Sequence, residues 1–93
     1  MQSDYQNLVS RLYKCGDEIA KIRNLPGYED KKVDLQIMYK VAAGYATQVS
    51  KAEVDCRRLH HETVKFREAY QKFEEVLTNL EHYLTIAYLT RKD

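Results

Sequence analysis

The side chains with the greatest capacity for chemistry lie close together, where Cys56, His60, His61 and Glu62 fall within seven residues. Cys56 and His60 are four residues apart, so on a helix they would share a face and offer a metal ion two ligands. A zinc-protease helix needs the pattern His-Glu-x-x-His, and residues 63–65 supply no second histidine after His61-Glu62. Because two ligands do not make a metal site, we expect no metal and no cofactor.

The acidic side chains do not form a catalytic pattern. Most of them fall outside the apolar stripes of the predicted helices, and Glu74, Glu75 and Glu81 are typical of a solvated helix face. General acid–base catalysis needs carboxylates that are held in a shaped pocket with displaced pKa values. The sequence also shows no recognisable serine–histidine–aspartate order and no glycine-rich phosphate loop. We therefore predict that the protein is not an enzyme.

Tyrosine is the most unusual feature of the composition, with eight tyrosines and no tryptophan in 93 residues. Tyr13, Tyr39, Tyr83 and Tyr88 lie at or beside the edge of an apolar stripe. Tyrosine is favoured at protein interfaces because its ring buries area while its hydroxyl stays polar. We predict that these four residues belong to an edge that binds a partner or a ligand.

Arg57 and Arg58 are candidates for the same edge, and with Lys65 and Arg67 they form the densest basic group of the chain. Neighbouring acidic residues dilute this group, so a solvated, ion-paired surface is favoured over an anion-binding strip. Aromatic rings with nearby cations can stack bases and neutralise phosphates. A nucleotide or a single-stranded nucleic acid, bound at subunit boundaries, is therefore an alternative ligand. The formal net charge of +1 and the interleaved signs give no argument from composition for nucleic acid or for a membrane surface.

One strong break divides the chain, at residues 24–27, where proline and glycine are adjacent. Because the residue before a proline avoids the helical conformation, a first helix is predicted over about residues 4–24. Its apolar residues follow alternating steps of three and four, which places them on one stripe. They are Tyr5, Leu8, Leu12, Cys15, Ile19 and Ile22.

A second helix is predicted over about residues 28–89. From Leu35 to Ala87 the three–four alternation continues without a slip, well beyond the three or four heptads that indicate a coiled coil. An inserted loop would normally shift the phase of this pattern, so we favour one continuous helix. The alternative is a three-helix bundle with a break near residues 60–63.

The predicted fold class is all-α: a short helix folded back on a long helix, as a helical hairpin or coiled coil, that assembles into a helical-bundle oligomer. Helix 1 would cover the early half of helix 2 and leave the bulky late half without cover from its own chain. Each large apolar side chain left in water forgoes roughly 1.5–3 kcal/mol. A second copy is therefore expected to cover it, as a dimer or a multiple of dimers. The predicted oligomer interface consists of Phe66, Tyr70, Phe73, Leu77, Leu80 and Leu84.

The cellular setting is predicted from cysteine content and hydropathy. Two cysteines are too few for a disulfide scaffold, and no stretch approaches the roughly 20 apolar residues that span a bilayer. We expect one soluble, cytoplasmic domain without a membrane partner. The leading hypothesis is a non-enzymatic, homo-oligomeric coiled-coil protein that engages another protein as an adaptor, inhibitor or chaperone-like factor. A purely structural coiled-coil subunit is a further alternative.

Overall fold

A computed structural model describes the backbone of residues 2–90 and the side chains of residues 5–90. It contains three α-helices, α1 (Gln2–Arg23), α2 (Lys32–Leu59) and α3 (Val64–Leu89), and no strand within the described residues. The helices pack side by side into a bundle of 54 × 18 × 17 Å. The predicted all-α class is confirmed. Over the same residues, no helix is both long and apolar enough for a membrane span.

The first turn of the chain lies where the proline and glycine predicted it. α1 ends one residue earlier than expected, and the amide of Leu25 bonds back to the carbonyl of Ile22 at 3.0 Å. Gly27 adopts a φ of 93°, a conformation that favours glycine. The second helix begins at Lys32 rather than at residue 28, because the amides of Lys31 and Lys32 both bond to the carbonyl of Tyr28 and form a separate turn.

The prediction of one continuous helix over residues 28–89 is wrong, because the chain reverses at residues 60–63. His60 is left-handed, with a φ of 59°. Its amide bonds to the carbonyl of Arg57 at 3.4 Å, and the amide of His61 bonds to the carbonyl of Cys56 at 3.2 Å. This is the Schellman arrangement, which satisfies carbonyls at the end of a helix while it turns the chain. The alternative with three helices matches the structure.

Thr63 starts the third helix. Its backbone is extended, and its hydroxyl accepts a hydrogen bond from the amide of Phe66 at 3.1 Å, as an N-cap residue does. Its own amide donates to Sγ of Cys56 at 3.4 Å, which ties the new helix to the end of α2. Thr63 is in step with the three–four alternation from Leu35 to Ala87, which we call the seam, and this polar seam residue is a helix cap.

The reversal folds α3 antiparallel onto α2. At the far end of the bundle, the hydroxyl of Tyr83 contacts Asp34 across the two helices. The core is built from one stripe of each helix together with Tyr28; the fully or nearly fully buried residues of α3 are Phe66, Phe73, Leu77, Leu80, Leu84 and Ala87. Five of the six residues predicted as an oligomer interface are thus interior to the single chain, and Tyr70 is half-buried against them. The premise that the late seam lacks cover from its own chain is wrong.

We expect Thr63→Ala to destabilise the protein by about 1 kcal/mol, because the amide of Phe66 loses its capping acceptor. Thr47→Ala is the matched control: Thr47 is exposed within α2, and its hydroxyl bonds only to the carbonyl of Ala43 one turn earlier. Urea denaturation followed by circular dichroism measures both changes. Equal and negligible effects of the two substitutions would contradict the capping role of Thr63.

Candidate functional site

The side chains predicted as one partner or ligand edge occupy three separate places. Tyr13 and Tyr39 line a groove between α1 and α2. Tyr83 and Tyr88 lie on α3, where their hydroxyls reach α2 and α1 respectively. Arg57 and Arg58 lie in the last turn of α2, beside the reversal. The structure therefore does not join these residues into a single surface.

In the groove between α1 and α2, Tyr39 packs against Gly16. A methyl group placed on Gly16 would approach Oη of Tyr39 to 2.9 Å, so the glycine leaves the space that the tyrosine ring occupies. Tyr13 stands at the same groove with 65% of its surface exposed. Of the two tyrosines, Tyr39 is chiefly a packing residue and Tyr13 is the one offered to solvent.

The hydroxyls of the other edge tyrosines connect helices. Tyr83 donates to Oδ2 of Asp34 at 3.1 Å, and Tyr88 donates to the carboxylate of Glu18. The ring of Tyr88 also meets the ring of Tyr28 edge-on, with centroids 6.0 Å apart. These tyrosines join α3 to both other helices, which is a structural use of the residues predicted to bind a ligand.

The tyrosine–carboxylate contacts displace pKa values in the directions expected for neutral donors and charged acceptors. Burial, and after it the hydrogen bond to Glu18, raises the pKa of Tyr88 to about 12. The same hydrogen bond is the main cause that lowers the pKa of Glu18. Burial raises the pKa of the Cys15 thiol to about 11, so this cysteine is protonated at neutral pH. At neutral pH, Tyr88 and Cys15 are therefore uncharged and Glu18 is charged, as their places in the bundle require.

The arginines of the basic group are engaged by neighbouring carboxylates. Arg57 pairs with Glu53, and Arg58 pairs with Asp55 at 3.4 Å. Arg67 pairs with Glu62, within the reversal, at 3.3 Å. Exposed pairs of this kind contribute about 0–1 kcal/mol each. The three arginines of the group are therefore ion-paired on a solvated surface and are not free cations.

The segment with two histidines forms the reversal. Cys56 is buried, and its sulfur lies 3.7 Å from Oγ1 of Thr63 instead of forming a ligand pair with His60. Within the described residues, no group of three or more histidine, cysteine, aspartate or glutamate side chains is placed to hold a metal ion. What the segment does is end one helix and begin the next.

Sequence reasoning missed an exposed aliphatic stripe on α2. Val33, Ile37 and Val41 follow one another at intervals of four residues and expose 65%, 55% and 46% of their surface. The spacing is present in the sequence, but these residues lie off the long seam from which the core was predicted. We name Val33, Ile37 and Val41 the α2 stripe.

A groove between α2 and α3 was also missed. It lies at the end of the bundle near the reversal and has a volume of about 530 Å³. Tyr45 and Ala52 of α2 and Ala69 of α3, which are buried or half-buried, form its apolar floor. Asp55 is half-buried in the same lining. The exposed side chains of Lys51, Lys65 and Lys72 stand around it. We name this the α2–α3 groove; its basic residues come from two helices and meet only after the chain reverses.

The raised pKa of Tyr88 predicts a loss of stability at alkaline pH. Folding raises the pKa of the Tyr88 hydroxyl above its ordinary value of 10.0. The stability that this raised pKa contributes is therefore complete below pH 10 and is lost as the pH rises towards about 12. Tyr88→Phe has no such proton. We expect the stability difference between the wild type and Tyr88→Phe to shrink over this interval, with Tyr13→Phe as the exposed control. Parallel stability curves from pH 8 to 12 would contradict this assignment.

The α2 stripe and the α2–α3 groove are two surface features that remain accessible in the folded chain. The first is aliphatic and suits contact with a protein surface, and the second combines an apolar floor with cations.

The chain matches no protein-family model, no curated protein and no solved structure.

Proposed function

We propose that this chain is a non-enzymatic interaction module that binds another protein through the α2 stripe. The observation that carries the proposal is the exposure of Val33, Ile37 and Val41, each about half or more exposed, on one line of a helix whose opposite side is buried. Single exposed aliphatic residues are common on proteins, but an aligned row of three is a contiguous apolar surface.

The geometry of the stripe favours a helix as the bound element. Residues at intervals of four form a ridge on a helix surface, and such ridges pack into the grooves of a second helix. Ile86 extends the apolar surface, because it lies one turn after Tyr83, which contacts Asp34 beside Val33, and it exposes 41% of its surface. A partner helix laid along α2 would cover these residues together.

The non-enzymatic part of the proposal is supported by what the ionisable groups do. Arg11 and Glu81 form a two-point contact between α1 and α3, at 2.6 and 3.0 Å, and Tyr88 with Glu18 joins the same two helices. The pKa of Arg11 is raised chiefly by its hydrogen bond to Glu81. The pKa of Tyr88 is raised by burial and, after it, by the hydrogen bond to Glu18. These groups stabilise the bundle rather than converging on a cleft where a substrate would react.

Assignment to a different protein, rather than to a second copy, follows from the packing of α3. The sequence argument for a homo-oligomer depended on uncovered residues from Phe66 to Leu84, and the chain covers those residues itself. The stripe is a smaller surface than that seam. We propose a separate partner and treat self-association as an outcome of the test.

The test combines capture from host lysate with substitutions on and off the stripe. We expect Ile37→Glu to abolish capture of a specific partner, because a buried carboxylate would lie in the contact. Val54→Glu is the matched control, since Val54 is 61% exposed on α2 but off the stripe. A photo-crosslinking residue at position 33 should join covalently to the same partner.

Two results would contradict the proposal. One is capture that Ile37→Glu and Val54→Glu affect equally, which would place the contact elsewhere. The other is a species of twice 11.0 kDa in light scattering that Ile37→Glu converts to the monomer, since a second copy would then occupy the stripe.

A further inference from the structure

The α2–α3 groove concentrates positive charge that the protein does not neutralise. In the described part of the chain, six lysines have no carboxylate oxygen within 4.0 Å. Three of them line this groove, and the other three are dispersed elsewhere. The six are Lys51, Lys65 and Lys72 at the groove, and Lys14, Lys32 and Lys40 away from it.

The carboxylates near the groove do not cancel its charge. Asp55 lies in the lining, but it is paired with Arg58 at 3.4 Å. Glu68 also belongs to the lining, and it is not ion-paired with any described residue. The lining holds three lysines against the two carboxylates Asp55 and Glu68, so an anion that enters the groove would meet a net positive surface.

The arrangement of the lysines suits several negative charges within a short distance. Lys65 and Lys72 are two turns apart on α3, about 10 Å along the axis, and Lys51 faces them from α2. Lysine binds phosphate oxygens as a point charge on a flexible stem, so three ammonium groups can gather around linked phosphates. A single carboxylate would neutralise only one of them.

The floor of the groove adds an apolar and aromatic surface. Its apolar lining residues are Tyr45 and two alanines with small side chains, Ala52 and Ala69. A volume of about 530 Å³ falls in the range for small-molecule sites. A base with its sugar suits the apolar floor, and phosphates suit the lysines that stand around it.

We propose that the α2–α3 groove binds a nucleoside polyphosphate. Its phosphates contact Lys51, Lys65 and Lys72, and its base lies on Tyr45 and the two alanines. This site is separate from the α2 stripe, so either proposal stands if the other fails.

The test is isothermal titration calorimetry of the full chain with ATP at low salt. We expect ATP to bind, and adenosine and tripolyphosphate each to bind at least about tenfold more weakly, because each lacks one half of the recognised group. Added salt should weaken ATP binding. In amide chemical-shift maps, ATP should move the signals of Tyr45, Ala52 and Ala69.

Two triple variants with the same change in net charge separate the site from general electrostatics. Lys51→Gln/Lys65→Gln/Lys72→Gln should weaken ATP binding at least about tenfold, whereas Lys14→Gln/Lys32→Gln/Lys40→Gln should change it less than about threefold. All six lysines lie outside the buried core, so both variants should keep the helical circular dichroism of the wild type.

Four outcomes would overturn the proposal. They are no ATP binding by the wild type up to about 1 mM, equal losses in the two triple variants, tripolyphosphate binding as tight as ATP, and a thymidine oligonucleotide binding through these lysines more tightly than ATP. The last two would identify a plain anion site and a single-strand site respectively.

Discussion

The reversal at residues 60–63 is the constraint on which the rest of the molecule depends. It requires His60 to adopt a left-handed conformation, which costs a non-glycine residue about 1–2 kcal/mol. Folding back lets α3 bury Phe66, Phe73 and the leucines that follow, and each of these contributes roughly 1.5–3 kcal/mol. The helix-end hydrogen bonds and the Thr63 cap satisfy the backbone where the helices stop. Burial therefore outweighs the local cost.

Much of the core could be read from the sequence, but the connection could not. The three–four alternation identified most of the buried stripe of each helix, since burial on a helix follows its period. Leu59 is in step with the alternation but 46% exposed, at the last residue of α2. The same alternation hid the reversal, because four residues are close to one helical turn of 3.6 and leave the phase unchanged. Thr63 was the available signal: a polar, cap-forming residue at a seam position. Periodicity reports which face is buried, and it does not report which helix buries it.

The surface was less predictable than the core because its chemistry depends on contacts distant in sequence. The edge position of Tyr83 and Tyr88 followed from the period, but their carboxylate partners lie 49 and 70 residues away. Arg57 and Arg58 find their partners within one turn, as the interleaved charges of that segment predict. Prediction of the α2–α3 groove would have required both the spacing of residues within a helix and the contacts between helices. Lys65 and Lys72 share a face of α3 by spacing, whereas Lys51 joins them only because the chain folds back.

Small-angle X-ray scattering on the monomer peak of a sizing column tests the central claim, that one chain covers its own apolar seam. A compact bundle predicts a mass of 11.0 kDa, a radius of gyration close to the 15.2 Å of the Cα trace and a longest dimension near 54 Å before hydration. A continuous helix over residues 28–89 would instead give a rod of roughly 90 Å. A rod of that length would contradict the account.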